Sequence, residues 1–149
     1  MLIRSISGLR GITAASDGFT EDTAKLYAAS FAESLGNHGL VALGFDGRHE
    51  GKKYYEIIAD TLRDAGCDVL ALLMVPTPTV MFAVETHTSI RGGISVTASH
   101  NGQEWNGMKF NSSFSCLSRK SPVEEINFIP FHSCPLWLAV TEIPPLIEV

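Results

Sequence analysis

The chain has 149 residues, 45% of them hydrophobic and 18% charged, which excludes a disordered polar segment and fits one domain with a hydrophobic core. Its formal net charge of -5 at pH 7 argues against a broad nucleic-acid-binding surface, which needs a basic face. No stretch approaches about 18 uninterrupted apolar residues, so no membrane span is predicted, whereas a local cluster of cations could still bind a phosphorylated ligand.

The first predicted elements are a strand at residues 2–6, a loop at residues 7–11 and a helix that starts after Thr20. The Thr20 hydroxyl can cap this helix, and Glu21 and Asp22 occupy its first turn, where the helix dipole favours anions. Apolar side chains then recur at helical spacing, at Ala24, Tyr27, Ala28, Phe31 and Leu35.

The next elements are two apolar strands on either side of a helix. Residues 40–45 are a continuous apolar run, typical of a strand that is buried on both faces, and residues 69–75 form a second apolar strand. Residues 51–65 are predicted to form the helix between them. A third, short helix is predicted at Pro76-Thr77-Pro78, where Thr77 can cap the helix and Pro78 suits its first position.

A further short strand is predicted at residues 93–96, followed by a polar loop at residues 97–105. Asn106-Gly107 favours a tight turn, from which Met108-Lys109-Phe110 leaves in an extended conformation. The order strand–helix–strand–helix–strand indicates an α/β sheet with helices on both faces. Loops that follow the strands of such a sheet meet at one edge, where ligands bind.

Residues 111–149 differ from the rest, because they hold five of the seven prolines and keep neither a helical nor a strand period. We therefore expect a domain at residues 1–110 and an irregular or poorly ordered tail at residues 111–149.

The three cysteines, Cys67, Cys116 and Cys134, are widely spaced and form no C-x-x-C pair, which predicts neither a zinc site nor a dithiol motif. Reduced thiols are typical of the cytosol, and the N-terminus lacks the apolar segment of a signal peptide. These features predict a cytoplasmic protein.

Ser99 is the sharpest candidate for chemistry, because it lies in a polar loop directly after a buried strand, beside His100 and a flexible Asn101-Gly102 pair. A serine hydroxyl becomes a useful nucleophile only when it is activated or already phosphorylated. The alternative is an ordinary loop serine before a turn. No G-x-S-x-G motif supports a hydrolase.

Three cations could bind a phosphate near that loop. Arg10 lies between glycines, so that its guanidinium could approach a phosphate closely, or it could be a surface arginine in a turn. Arg48 follows a strand and could reach the same edge, or it could form a local ion pair with Asp46. Lys109 could donate or accept a proton, or it could be an exposed lysine of a strand.

Four segments in this order resemble the first domain of the α-D-phosphohexomutases, the phosphoglucomutase, phosphomannomutase and phosphoglucosamine mutase superfamily. They are Ser7-Gly8-Leu9-Arg10-Gly11, Gly44-Phe45-Asp46-Gly47-Arg48, Pro76-Thr77-Pro78, and Thr97-Ala98-Ser99-His100-Asn101 with Asn106-Gly107-Met108-Lys109. The resemblance covers residues 1 to about 110. It implies a three-layer α/β/α sandwich with a mixed, mostly parallel sheet.

The resemblance also implies a reaction, in which phosphorylated Ser99 passes its phosphoryl group to a hexose phosphate and recovers one from the resulting hexose bisphosphate. Mg²⁺ would bind the phosphoserine oxygens. Arg10 and Lys109 would assist as catalytic residues. The resemblance implies contacts with substrate or phosphate for Ser7, Arg48, His100 and Asn101.

Two departures limit these expectations. Gly102 stands where many relatives have proline, and the metal-binding and sugar-recognition loops of the family's other domains are absent from the chain. We therefore expect a phosphohexomutase fragment, truncated or frameshifted near residue 111 and inactive alone. A non-catalytic sugar-phosphate-binding or partner domain is the alternative, and its oligomeric state is not predicted.

Overall fold

The computed structural model describes residues 1–5 and 8–112, which form one six-stranded sheet and three helices. The strand order in the sheet is β1-β2-β6-β5-β3-β4. The elements in chain order are β1 (Leu2–Ser5), β2 (Gly8–Ile12), α1 (Glu21–Ser34), β3 (Leu40–Phe45), α2 (Gly51–Asp64), β4 (Asp68–Met74), α3 (Thr77–Thr86), β5 (Ile90–Val96) and β6 (Trp105–Ser112). None of these three helices has the length and apolar character that crossing a membrane requires.

The strand directions confirm the predicted mixed sheet. Strand β3 pairs in parallel with β4 and with β5. Strand β6 lies antiparallel between β5 and β2, and β1 pairs antiparallel with β2 at the edge. Strands β2 to β5 therefore all run in one direction, although most neighbouring pairs are antiparallel.

Helices cover both faces of the sheet, which confirms the predicted α/β/α layers. Successive side chains of a strand point to opposite faces. Val41 and Leu43 of β3 accordingly pack into the larger core with α1 and α2, whereas Ala42 packs into a smaller core with Val80 of α3. The three parallel strands place the loops that follow β3, β4 and β5 at one edge of the sheet, as predicted.

The helix cap and the buried face predicted for α1 are both present in the structure. The Thr20 Oγ1 accepts a hydrogen bond of 3.2 Å from the Thr23 backbone N–H, which satisfies one of the free donors at the helix start. The predicted inner residues Tyr27 and Phe31 are only 2% and 1% exposed. Helix α1 therefore follows from its own sequence.

The predicted loop at residues 7–11 is wrong for its described part, because Gly8–Ile12 form strand β2. Glycines lower strand propensity, so local sequence does not reveal this strand. Tertiary pairing requires the glycine, since a Cβ at Gly8 would lie 2.0 Å from the carbonyl oxygen of Met108 on β6. The close approach of β2 and β6 therefore explains both the strand and its glycine.

The predicted tight turn at Asn106-Gly107 is also wrong, because both residues lie within β6. Asn106 is fully buried, its Oδ1 accepts a 2.9 Å hydrogen bond from the Gly107 N–H, and its Nδ2 donates to the His49 carbonyl at 3.4 Å. Both residues pair with β2, and the Gly107 carbonyl accepts a 2.9 Å hydrogen bond from the Thr97 N–H, so tertiary pairing overrides the local turn preference.

The predicted tail lies almost entirely outside the described residues. Strand β6 continues to Ser112, which pairs with Gly92 of β5, so the first two tail residues belong to the sheet. The domain boundary at residue 110 otherwise stays a prediction. Among the described residues Cys67 is a free, buried thiol, and burial raises its pKa, so it packs as a small apolar side chain.

Candidate functional site

The loop between β5 and β6 presents Ser99 to solvent directly after a buried strand end. Thr97 and Ala98 are buried, whereas Ser99 and His100 are exposed. Ser99 has a φ of 59°, in the left-handed region that is uncommon for residues with a Cβ. Such a conformation costs about 1–3 kcal/mol and persists only where the surroundings hold it.

One of those restraints is Thr97, whose Oγ1 accepts a 3.0 Å hydrogen bond from the Ser99 backbone N–H. The Asn101 N–H donates to the Ala98 carbonyl at 3.2 Å and closes the turn. Thr97 was not among the residues predicted for the site, although a threonine two residues before a turn residue is a known backbone-binding pattern.

Replacing Thr97 by valine is expected to lower the free energy of unfolding by about 1–2 kcal/mol, because the shape is kept while a partly buried N–H, that of Ser99, loses its acceptor. Equilibrium urea unfolding measures the change. Thr97→Ser keeps the hydroxyl and is the matched control. Equal losses in the valine and serine variants would contradict a role for this hydrogen bond.

Ser99 shares a shallow cleft with two of the predicted cations. The lining residues are Ser5, Gly8, Leu9, Arg10, Thr97, Ala98, Ser99, Met108 and Lys109, and we call this the Ser99 cleft. Three residues predicted as catalytic, Ser99, Arg10 and Lys109, are therefore brought together from three strands or their ends.

Sheet register explains how Arg10 and Lys109 come to face the cleft. Lys109 pairs with Gly8 on β2 and with Ser95 on β5, while Arg10 pairs with Gly107. Leu9 and Met108 point into the core with α1 and α2, so their neighbours Arg10 and Lys109 occupy the opposite face of the sheet.

The cleft carries uncompensated positive charge. Within residues 1–5 and 8–112, neither Arg10 nor Lys109 forms an ion pair with a carboxylate. The chain as a whole is acidic, so these cations form a local basic site on an acidic protein. Such a site attracts an anionic group to the position of the Ser99 hydroxyl.

Arg48 reaches the same loop from the end of β3. Its guanidinium donates to the backbone carbonyls of Gly102 at 2.7 Å, Asn101 at 2.8 Å, Trp105 at 3.3 Å, and Ser99. Its Nε lies 3.3 Å from Asp46 Oδ2. Both structural alternatives considered for Arg48 are therefore present, since it pairs with Asp46 and also reaches the edge of the sheet.

The other predicted site residues differ in their burial and in their distance from Ser99. The His100 Nδ1 lies 3.4 Å from Ser99 Oγ. The Asn101 side-chain oxygen is buried and has no hydrogen-bond partner among the described residues. Ser7 lies outside the described residues. Ser5, which belongs to none of the sequence motifs, lines the cleft and donates to the Gly8 carbonyl at 3.1 Å.

The described residues do not build a resident metal site. Across residues 1–5 and 8–112, no group of three or more His, Cys, Asp or Glu side chains lies close enough to hold a metal ion. Among the described residues, the predicted Mg²⁺ would therefore depend on the oxygens of a phosphate on Ser99.

Comparison with known proteins identifies relatives of the whole described region. The sequence model of the family described as Phosphoglucomutase/phosphomannomutase, alpha/beta/alpha domain I matches residues 2–129. The match runs beyond residue 110, where we predicted the resemblance to end.

Two curated relatives illustrate the similarity. A probable phosphoglucosamine mutase of Methanobrevibacter smithii is 32% identical over 130 residues, which cover 85% of this chain and 29% of the relative. A phosphoglucomutase/phosphomannomutase of Thermococcus kodakarensis is 34% identical over 128 residues, covering 81% of this chain and 27% of the relative. The chain thus spans less than a third of the length of these relatives.

A solved structure agrees with the fold described above. The putative phosphomannomutase of Thermus thermophilus superimposes with a TM-score of 0.68 and 31% identity, over 75% of this chain and 26% of that one.

Proposed function

The chain belongs to the phosphoglucomutase/phosphomannomutase family, and on this premise we propose that it provides the phosphoserine domain of a hexose-phosphate mutase, with Ser99 as the phosphoryl carrier. The Ser99 cleft is the observation that carries the proposal. It combines an exposed hydroxyl in a restrained turn with the two cations Arg10 and Lys109.

The proposed reaction begins with a phosphate on the Ser99 oxygen. A hydroxyl of a hexose monophosphate attacks the phosphorus, the bond from phosphorus to Ser99 Oγ breaks, and a hexose bisphosphate forms. The sugar hydroxyl loses a proton and Ser99 Oγ gains one, so charge and protons balance. Transfer of the other phosphate back to Ser99 completes a shift between C1 and C6.

Arg10 and Lys109 would stabilise the transferring group. Negative charge is spread over the three outer oxygens of the phosphoryl group during transfer, and fixed cations beside them lower the barrier. The His100 ring, 3.4 Å from Ser99 Oγ, is placed to contact the same group. Mg²⁺ on the phosphate oxygens and a cytoplasmic location are parts of the proposal. These 149 residues alone are proposed to be inactive in the complete mutase cycle, while Ser99 still accepts a single phosphoryl group.

Intact-mass spectrometry of the purified chain tests the proposal directly. After incubation with a hexose 1,6-bisphosphate and Mg²⁺, we expect one phosphate per chain, located at Ser99 by fragmentation. Saturable binding of the bisphosphate with no covalent phosphate would instead support a non-catalytic binding domain. Labelling of Ser99 by a fluorophosphonate would favour an unrelated hydrolase.

Replacing Lys109 by methionine is expected to slow phosphorylation of Ser99 about 100-fold, the typical loss for one preorganised charge-stabilising donor. Stopped reactions analysed by intact mass give the rate. Lys109→Arg keeps the positive charge and should retain more activity than the methionine variant. Lys52→Met, which removes an exposed lysine paired with Glu56, is the control and should react normally. A normal rate in Lys109→Met would exclude Lys109 from the reaction.

A further inference from the structure

We propose that Arg48 is a positioning residue that holds the backbone of the Ser99 loop, and that it does not bind the phosphate. The inference rests on the proposed function of Ser99 for its catalytic consequence. The structural part stands on the contacts of Arg48 alone.

The N–H groups of Arg48 are already engaged or buried, which leaves none free for a phosphate. A guanidinium has five N–H groups in a fixed plane. Nη1 donates to the carbonyls of Gly102 and Trp105, and Nη2 donates to those of Ser99 and Asn101. The fifth N–H, on Nε, lies 3.3 Å from Asp46 Oδ2, forms no hydrogen bond among the described residues, and is buried out of reach of a phosphate. A phosphate would therefore have to displace existing contacts.

Four backbone carbonyl oxygens surround the guanidinium of Arg48. Carbonyl dipoles that point at each other repel, and a buried carbonyl needs a donor. The Arg48 side chain is only 14% exposed, and its bonds to the Asn101 and Trp105 carbonyls are partly buried, so water has limited access to these two contacts. One planar cation thus joins three residues of the loop, Ser99, Asn101 and Gly102, with Trp105 at the start of β6.

Arg48 also helps to hold the backbone conformation of Ser99. Its φ of 59° is disfavoured, and two contacts hold it from opposite sides. Thr97 Oγ1 binds the Ser99 N–H, and Arg48 binds the Ser99 carbonyl. Because the peptide bonds are trans, the N–H of His100 points away from Arg48, and it has no acceptor among the described residues. Arg48 therefore also orients an amide that could donate to an anion.

Asp46 sets the position of the guanidinium. Its Oδ1 accepts a 3.1 Å hydrogen bond from the Arg48 backbone N–H, while its Oδ2 faces Arg48 Nε. Asp46 therefore holds Arg48 through both its backbone and its side chain, and Arg48 extends from the turn after β3 to the loop after β5. This arrangement explains why an ion pair and a contact to the loop occur together.

The test measures the loop and the chemistry separately in Arg48→Met and Arg48→Lys. Amide hydrogen exchange of residues 97–105 should become at least about tenfold faster in Arg48→Met, with or without phosphate. Lysine has a single ammonium that cannot match four carbonyls, so Arg48→Lys should restore little protection. Arg63→Met removes an exposed arginine paired with Asp60 and should leave the loop unchanged.

The chemical readout is the phosphorylation rate of Ser99 against hexose 1,6-bisphosphate concentration. Positioning predicts a maximum rate that is 10- to 100-fold lower with a half-saturating concentration within about twofold of normal. A raised half-saturating concentration with an unchanged loop would show a direct phosphate contact and overturn the proposal. Unchanged loop exchange in a folded Arg48→Met also overturns it.

Failure of the proposed function has a different signature. If the unaltered chain accepts no phosphate, Ser99 is not a carrier, and hydrogen exchange still decides whether Arg48 holds the loop. If Arg48→Met does not fold, Arg48→Ala with and without millimolar methylguanidinium replaces it. Restored loop protection on adding methylguanidinium supports the proposal, and no restoration in a folded protein contradicts it.

Discussion

Replacement of Ser99 by alanine is expected to remove all covalent phosphate from the chain after incubation with a hexose 1,6-bisphosphate. No other described hydroxyl has the same surroundings, since Ser99 alone is exposed in the cleft at a left-handed turn. Intact mass of the variant and the unaltered chain, treated in parallel, measures the loss as at least 100-fold.

The matched control for this loss is Ser5→Ala. Ser5 lines the same cleft but donates its hydroxyl to the Gly8 carbonyl, so its removal should leave phosphorylation of Ser99 unchanged. A phosphate that persists in Ser99→Ala and disappears in Ser5→Ala would identify Ser5, and not Ser99, as the phosphoryl carrier.

A stability comparison separates the chemistry of Ser99 from its strain. Ser99→Gly should also accept no phosphate, but glycine adopts a positive φ without steric cost. Alanine at this position keeps the strain, so the glycine variant should be more stable than the alanine variant by about 1 kcal/mol. Equal stabilities in urea unfolding would mean that the turn carries no strain.

Replacing Gly107 by alanine is expected to lower the free energy of unfolding by about 3 kcal/mol or more. A Cβ there would lie 2.2 Å from the Leu9 carbonyl oxygen and 2.8 Å from the Arg10 Cα. Both atoms belong to the backbone of the neighbouring strand β2, so they cannot rotate away. The two strands must separate, and Arg10 moves relative to Lys109.

The control for Gly107 is Gly47→Ala, because a Cβ at Gly47 meets nothing within 4 Å. Its stability should stay within about 0.5 kcal/mol of the unaltered chain. Equilibrium urea unfolding followed by far-ultraviolet circular dichroism compares the two. Similar midpoints in both variants would contradict the close packing of β2 on β6.

Elements with their own periodicity were predictable from the sequence. Helix α1 has apolar residues at helical spacing and a Thr20 cap, and both signals are local in the chain. The buried strand β3 is a continuous apolar run for the same reason. These elements depend mostly on nearby residues, and the structure confirms them.

Elements built by distant pairing were not predictable in this way. Strand β2 contains Gly8 and Gly11 and has no apolar alternation, because it exists through its partners β1 and β6. Asn106-Gly107 is a sequence that favours a turn, but Asn106 is fully buried and both residues are part of strand β6. Long-range pairing supplied more free energy than the local preference.

The sequence by itself determined the α/β class, the two helix-covered faces and, through ordered motifs, the family. Only the tertiary structure decided that Ser99, Arg10 and Lys109 share one cleft, because sheet register joins residues about 100 positions apart. It also decided that the guanidinium of Arg48 contacts the backbone of the Ser99 loop. Carbonyl directions depend on the folded turn, and a residue pattern does not contain them.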